Sequence, residues 1–237
     1  MNSKNKKGFF LVFILVAVFP VAFLFIFMNI EKHSPKVDLN RILPIYGPKD
    51  TFTNFTRNGK PFLDTAYFQI PNFSFINQNG DTITKERVMG HVLIVDFFFT
   101  TCKSICIDMH RNMQTVQDAF LKENEVLILS HTVDPETDSV GQLFKYGIEH
   151  QVNSKIWNLL TGNKQDIYKM ARNGYFITAT QGTGGPEDFI HDQKFCLIDK
   201  EGRIRGYYNG TDPEQVKKLI DATKALLASY HIPLRAK

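Results

Sequence analysis

Two cysteines, Cys102 and Cys106, stand four positions apart in the segment TTCKSIC, and thiols so spaced can exchange disulfides or pinch a soft metal ion. Two thiolates do not complete a metal site, so a third donor has to come from elsewhere in the chain. Of the seven histidines, two have the best positions. His191 lies in FIHDQ, directly before the strand-like run KFCLID, and its imidazole can reach the pair if that run neighbours the strand carrying the thiols. His131 sits near the carboxyl end of LILSHTVD, with Asp134 in the same loop, where ligands of parallel sheets gather. Asp134 itself reads as capping a turn with Pro135 or orienting a neighbour. Met109 and Met113 are soft donors at i and i+4, but that spacing is also that of a buried helix face, and packing is expected. Cys196, between Phe195 and Leu197, reads as a small buried hydrophobe. The glycine-rich stretch TQGTGGPED, residues 180–188, lacks the lysine of a phosphate cradle and reads as a mobile loop near the site.

The elements that must position these groups follow from periodicity. HVLIVDFFF, residues 91–99, is a continuous β-branched and aromatic run, as in a central strand buried on both faces. From Cys106 to about Leu121, apolar residues recur at helical spacing, so a strand runs into a helix with TTCKS between them. A helix N-terminus presents unpaired N–H groups and a positive dipole end, which lowers a thiol pKa, and Lys103 acts in the same direction. If the helix begins within CKSIC, positions 102 and 106 stack one turn apart.

Downstream, EVLILSHTV, SVGQLFKYGIEH, IWNLL and NKQDIYKMARN alternate strand and helix, which implies a largely parallel sheet with helical crossovers. KFCLID and RIRGYY flank a Lys200-Glu201-Gly202 turn as an antiparallel hairpin, and PEQVKKLIDATKALLASY closes the chain as a helix. Upstream, residues 67–84 read as two short strands around Asn79-Gly80.

The 237 residues suffice for one core, and a net charge of +4 with lysines and arginines scattered among carboxylates excludes a nucleic-acid-binding stripe. Residues 8–28, GFFLVFILVAVFPVAFLFIFM, carry no charge and are long enough to cross a bilayer, with Pro20 tolerated there. Lys4, Lys6 and Lys7 precede the run, consistent with a cytoplasmic tail at residues 1–7 and a domain outside the cytoplasm, facing the periplasm or its equivalent. A cleaved signal peptide is the alternative, but the run exceeds the usual length and no A-x-A-like site follows. Residues 29–66 read as a tether that packs locally, and 67–237 as the folded domain.

Taken in order, VDFFFTTCKSIC, SHTVDPETDS, LLTG and FIHDQKFCLIDKEGRIRGYY resemble the Sco/SenC family of copper-binding thioredoxin-fold proteins over roughly 67–229. The resemblance implies an α/β, thioredoxin-like fold: a mixed central sheet flanked by helices, with an added N-terminal β-hairpin, behind one transmembrane helix. It also implies copper, as Cu(I) or Cu(II), held by Cys102, Cys106 and His191, and a role in assembling the copper centre of cytochrome c oxidase by metal delivery or by reducing the client's cysteines. The copper-site subunit of the oxidase is then the partner. One departure is that many members carry prolines after both cysteines, where this chain has Lys103 and Ile107, which loosens the loop or shifts the thiol potential. From a different class, the same thiols support a metal-free thiol-disulfide oxidoreductase of the extracytoplasmic space, and peroxidase chemistry is a third reading.

Overall fold

The computed structural model describes residues 43–56, 58–102, 105–177 and 193–231. The apolar run 8–28, the glycine-rich stretch 180–188 and His191 lie outside them. No helix among the described residues is long and apolar enough to cross a membrane.

The central element is the strand expected over 91–99. It spans Val92–Phe98, and all its residues are buried. We number the strands along the chain: β1 Lys49–Phe55, β2 Pro61–Tyr67, β3 Ser74–Asn77, β4 Thr82–Thr84, β5 Val92–Phe98, β6 Val126–Thr132, β7 Trp157–Thr161, β8 Lys194–Ile198 and β9 Ile204–Asn209. The helices are α1 Lys85–Val88, α2 Ile105–Phe120, α3 Val140–Glu149, α4 Lys164–Lys169, which continues as a π turn over Met170–Gly174, and α5 Pro213–His231. Seven strands form one sheet in the order β4-β3-β7-β6-β5-β8-β9. β5, β6 and β7 run parallel, whereas β3 and β8 lie antiparallel to their neighbours, so the sheet is mixed. This is the expected thioredoxin-like arrangement.

Polar caps start the crossover helices. The Ser139 hydroxyl accepts from the Gln142 amide at the start of α3, and Asn163 accepts from Gln165 and Asp166 at the start of α4. The β3–β4 hairpin turns through Gly80 at φ +84, a conformation that suits glycine. Its first strand begins at Ser74 rather than near 67, because Pro71 cannot supply a ladder donor.

Strand alternation divides the core into two layers. Val92, Ile94 and Phe98 face one side, with Met109, Met113, Val116 and Phe120 of α2, Trp157, and Leu219 and Leu227 of α5. Leu93, Val95 and Phe97 face the other, with Phe75, Leu129, Ile167 of α4, Tyr175 and Cys196. Met109 and Met113 therefore pack, as expected.

Within the segment read as a tether, β1 and β2 pair antiparallel from Lys49↔Tyr67 to Phe55↔Pro61, a separate two-stranded sheet. Its base is fixed by Tyr46, whose amide donates to the Ile204 carbonyl at 2.9 Å, and by the Phe68 amide, which donates to Pro48 at 3.0 Å. Arg205 holds the approach, donating to the Leu43 and Pro44 carbonyls while its guanidinium pairs with buried Asp199 at 2.9 Å.

Candidate functional site

β5 ends at Phe98 and the chain reaches Cys102 over a turn in which the Cys102 amide donates to the Phe99 carbonyl at 3.3 Å. Cys102 is half-buried. Helix α2 opens at Ile105, so Cys106 stands in its first turn while Cys102 precedes it. The helix therefore begins within the CKSIC segment, and residues 103–104 lie outside the described residues. The strand-to-helix junction is the one expected, and α2 directs its N-terminus to the thiol segment. His191 lies outside the described residues, but β8, which starts three residues later, pairs beside β5, with Val95 opposite Cys196. Antiparallel pairing places the start of β8 at the same sheet end as the finish of β5.

The loop before Cys102 is tied down by a residue that sequence reasoning passed over. Asp138 is fully buried and accepts from the Thr100 amide at 3.1 Å and from the hydroxyls of both Thr100 and Thr132. Its carboxylate therefore staples the end of β6 to the approach of Cys102. Asp134, singled out for this loop, contributes mainly backbone: its carbonyl accepts from the amides of Thr137 and Asp138, and its amide donates to Thr132 Oγ1 at 3.0 Å. The turn expected there is present.

Cys102 opens onto a cleft of about 190 Å³ lined also by Thr100, Ile107, His110, Arg111, Gln114, Tyr146 and His150. His110 lies one helical turn beyond Cys106, a spacing that was available as a signal. Its Nε2 lies 3.3 Å from the His150 carbonyl, which can only accept, so that nitrogen carries the proton. Nδ1 is then the bare nitrogen that receives the Tyr146 hydroxyl at 3.3 Å. Burial, offset in part by the hydrogen bond to His150 and reinforced by repulsion from its imidazole, lowers the His110 pKa to about 4. The ring is neutral at physiological pH and stacks on Trp157 at 5.0 Å.

Behind His110, a cavity of about 10 Å³, the size of one water, is bounded by Asp96, Ser130 and Trp157 among others. The Trp157 indole donates to Ser130 Oγ at 2.8 Å, and Ser130 donates to Asp96. Burial raises the Asp96 pKa to about 7 despite that donor.

His131, the other candidate donor, belongs to the opposite layer. Odd parity along β6 turns it onto the face away from α2, where it is wholly buried, stacked on Phe97 at 5.2 Å and 3.2 Å from the Tyr175 hydroxyl. Burial lowers its pKa to about 3, and its Nδ1 has no partner among the described residues. It is a core histidine. Cys196 lies in the same layer, fully buried, and burial pushes its thiol pKa well above the ordinary value. The described residues contain no cluster of three or more histidine, cysteine or carboxylate side chains able to hold a metal.

Residues 64–228 match the model of the SCO1/SenC family. The chain belongs to the SCO1/SenC family. It is 30% identical over 168 residues to the SCO1 protein homolog of Bacillus subtilis (strain 168), covering 70% of this chain and 87% of that protein. The structure of BsSco, a member of the Sco family of cytochrome c oxidase assembly proteins in which a disulfide switch has been identified, aligns with a TM-score of 0.59. That alignment has 30% identity and spans 68% of this chain and 94% of the other. Arabidopsis thaliana ScoI, solved with copper bound, aligns with a TM-score of 0.54 and 26% identity, over 68% of this chain and 99% of the other. In this Sco chain, the matched region contains the strand, the thiol segment, α2 and the β8–β9 hairpin.

Proposed function

We propose that this chain is a membrane-anchored copper-binding protein that assists assembly of the copper centre of cytochrome c oxidase, with Cys102, Cys106 and His191 holding the metal. The observation that carries this is Cys102, half-buried at the mouth of a cleft where a buried strand gives way to a helix. There the dipole of α2 favours the thiolate, the form that binds a soft ion. The copper-bound relative supports the metal, and the uncharged run 8–28 supports anchoring with the domain on the extracytoplasmic side. Copper is cargo here: the thiol pair and imidazole hold it until the client's copper centre takes it.

Copper titration of the reduced protein is the test. Cys102→Ala, Cys106→Ala and His191→Ala should each weaken binding beyond the roughly 10–100-fold seen on removing supporting residues. Unchanged affinity in all three would sink the three-ligand site. The disulfide switch of BsSco favours a second reading, thiol-disulfide exchange with the client's cysteines. It predicts reduction of a disulfide substrate in copper-free buffer at a rate indifferent to His191→Ala.

A further inference from the structure

The β1–β2 hairpin leaves five large apolar side chains exposed, and the pairing register sorts them onto two unlike faces. Residues directly opposite in an antiparallel pair share a face, and neighbours along a strand alternate. One face therefore carries Phe55 with Pro61, Thr53 with Leu63, Thr51 with Thr65, and Lys49 with Tyr67. It holds no carboxylate, and Leu63 and Phe55 are 80% and 64% exposed. The other face carries Asp50 and Asp64, with Asn54 donating to Asp64 at 3.1 Å, so the exposed Phe52 and Phe62 lie among solvated groups.

A two-stranded sheet is marginal in water on its own, so the carboxylate-free face calls for cover. We propose that this face, through Phe55, Leu63 and Tyr67, seats on the surface of an anionic lipid bilayer. The proposal rests on the anchoring part of the function above. Three features select lipid. Lys60 stands in the turn that joins the strands and Lys49 at the base of the same face, and such cations are drawn to an anionic surface. Aromatic side chains beside cations are the residues that settle at a headgroup boundary. Finally, β1 follows the uncharged run 8–28 in the sequence after only residues 29–48. A second copy pairing along a free strand edge would extend the sheet and leave this face bare. β1 and its turn also precede the residues matched by the family model, which separates them from the thiol site the family shares.

The experiment uses the full chain in phosphatidylglycerol-containing vesicles with and without brominated acyl chains. Leu63→Trp reports the proposed face and Phe52→Trp the opposite one, and the native Trp157, 2% exposed in the core, supplies a constant background. The Leu63→Trp emission should shift to the blue and lose intensity with brominated lipid, and the Phe52→Trp emission should lose much less. A blue-shifted but unquenched Leu63→Trp, meaning cover by protein, or a red-shifted unquenched one, meaning no cover, overturns the proposal. Equal quenching from both faces does so as well. Extraction at alkaline pH separately reads the anchor: a chain that leaves the vesicles lacks a spanning segment, whatever the tryptophans report.

Discussion

Among the described residues, two cysteine–histidine neighbourhoods of nearly the same composition lie on opposite sides of the sheet. Cys102 shares an open cleft with His110 and His150 at the end of β5, while Cys196 and His131 lie on the far layer of the sheet, sealed among Phe97, Phe75 and Tyr175. The difference between them is parity and depth rather than residue type. Phe98 faces α2 and Phe97 faces away from it, so one step along a strand moves a side chain from the thiol side to the closed side. On the closed side, burial keeps the Cys196 thiol protonated, which removes its nucleophilicity and metal affinity, while the neutral His131 imidazole is sealed away from any incoming ion.

The largest effect expected from this contrast is in thiol labelling. At neutral pH Cys102 should react with a small disulfide reagent, and Cys196 only when the sheet opens. Core opening costs most of a domain's stability, so the rate ratio should be at least about 10³. Comparable rates in a folded Cys106→Ala variant would show that the closed side is not closed.

A smaller change comes from Asp96, the buried acid on the thiol side. Its pKa is raised from 3.8 to about 7, so the protonated form favours the folded state. Its contribution is present in full below pH 4 and is lost as pH rises through 7. His110 and His131, with lowered values, act oppositely and lose theirs as pH falls below about 6.5. Asp96→Asn should therefore gain on the native chain by on the order of 2–4 kcal/mol between pH 4 and 7. Urea midpoints at several pH values give the difference, and a pH-independent offset would mean that Asp96 ionises freely.

Next comes a pair of histidine truncations. His131→Ala removes a ring packed on all sides and should destabilise by about 2–3 kcal/mol, whereas His150→Ala, at the cleft rim, should cost under about 1 kcal/mol. Equal losses in denaturant titration would contradict the assignment of His131 to the core and His150 to the cleft.

Much of the frame was legible in the sequence because its signals are local. A run as apolar as HVLIVDFFF has one reading once a helical pattern follows it, and KEG between two β-rich runs specifies a hairpin. The face on which His131 falls was not legible, since both faces of β6 are buried and periodicity cannot tell them apart. The meeting of His110 with His150 depends on how α2 and α3 lie over the sheet, which no local pattern encodes. The hairpin in the segment read as a tether escaped for the opposite reason: KDTFTNF and PFLDTAY alternate, but they bury almost nothing.

Asp138 shows what a motif reading leaves out. In DPETDS the first aspartate draws attention because it follows the histidine and precedes a proline, yet the carboxylate that binds the thiol loop is the second. Asp138 is buried with three donors, two from Thr100, while no hydrogen bond to the Asp134 carboxylate is found among the described residues. Asp138→Asn keeps the shape but replaces one acceptor oxygen with a donor that faces hydroxyl and amide donors. That mismatch should cost about 1–3 kcal/mol, against under 0.5 kcal/mol for Asp134→Asn. Because Thr100 stands two residues before Cys102, the loss should also reach the thiol: Asp138→Asn should alter the Cys102 labelling rate and Asp134→Asn should not. A destabilised Asp138→Asn with native Cys102 reactivity would confine the staple to the scaffold and leave the thiol loop positioned by the β5 end alone.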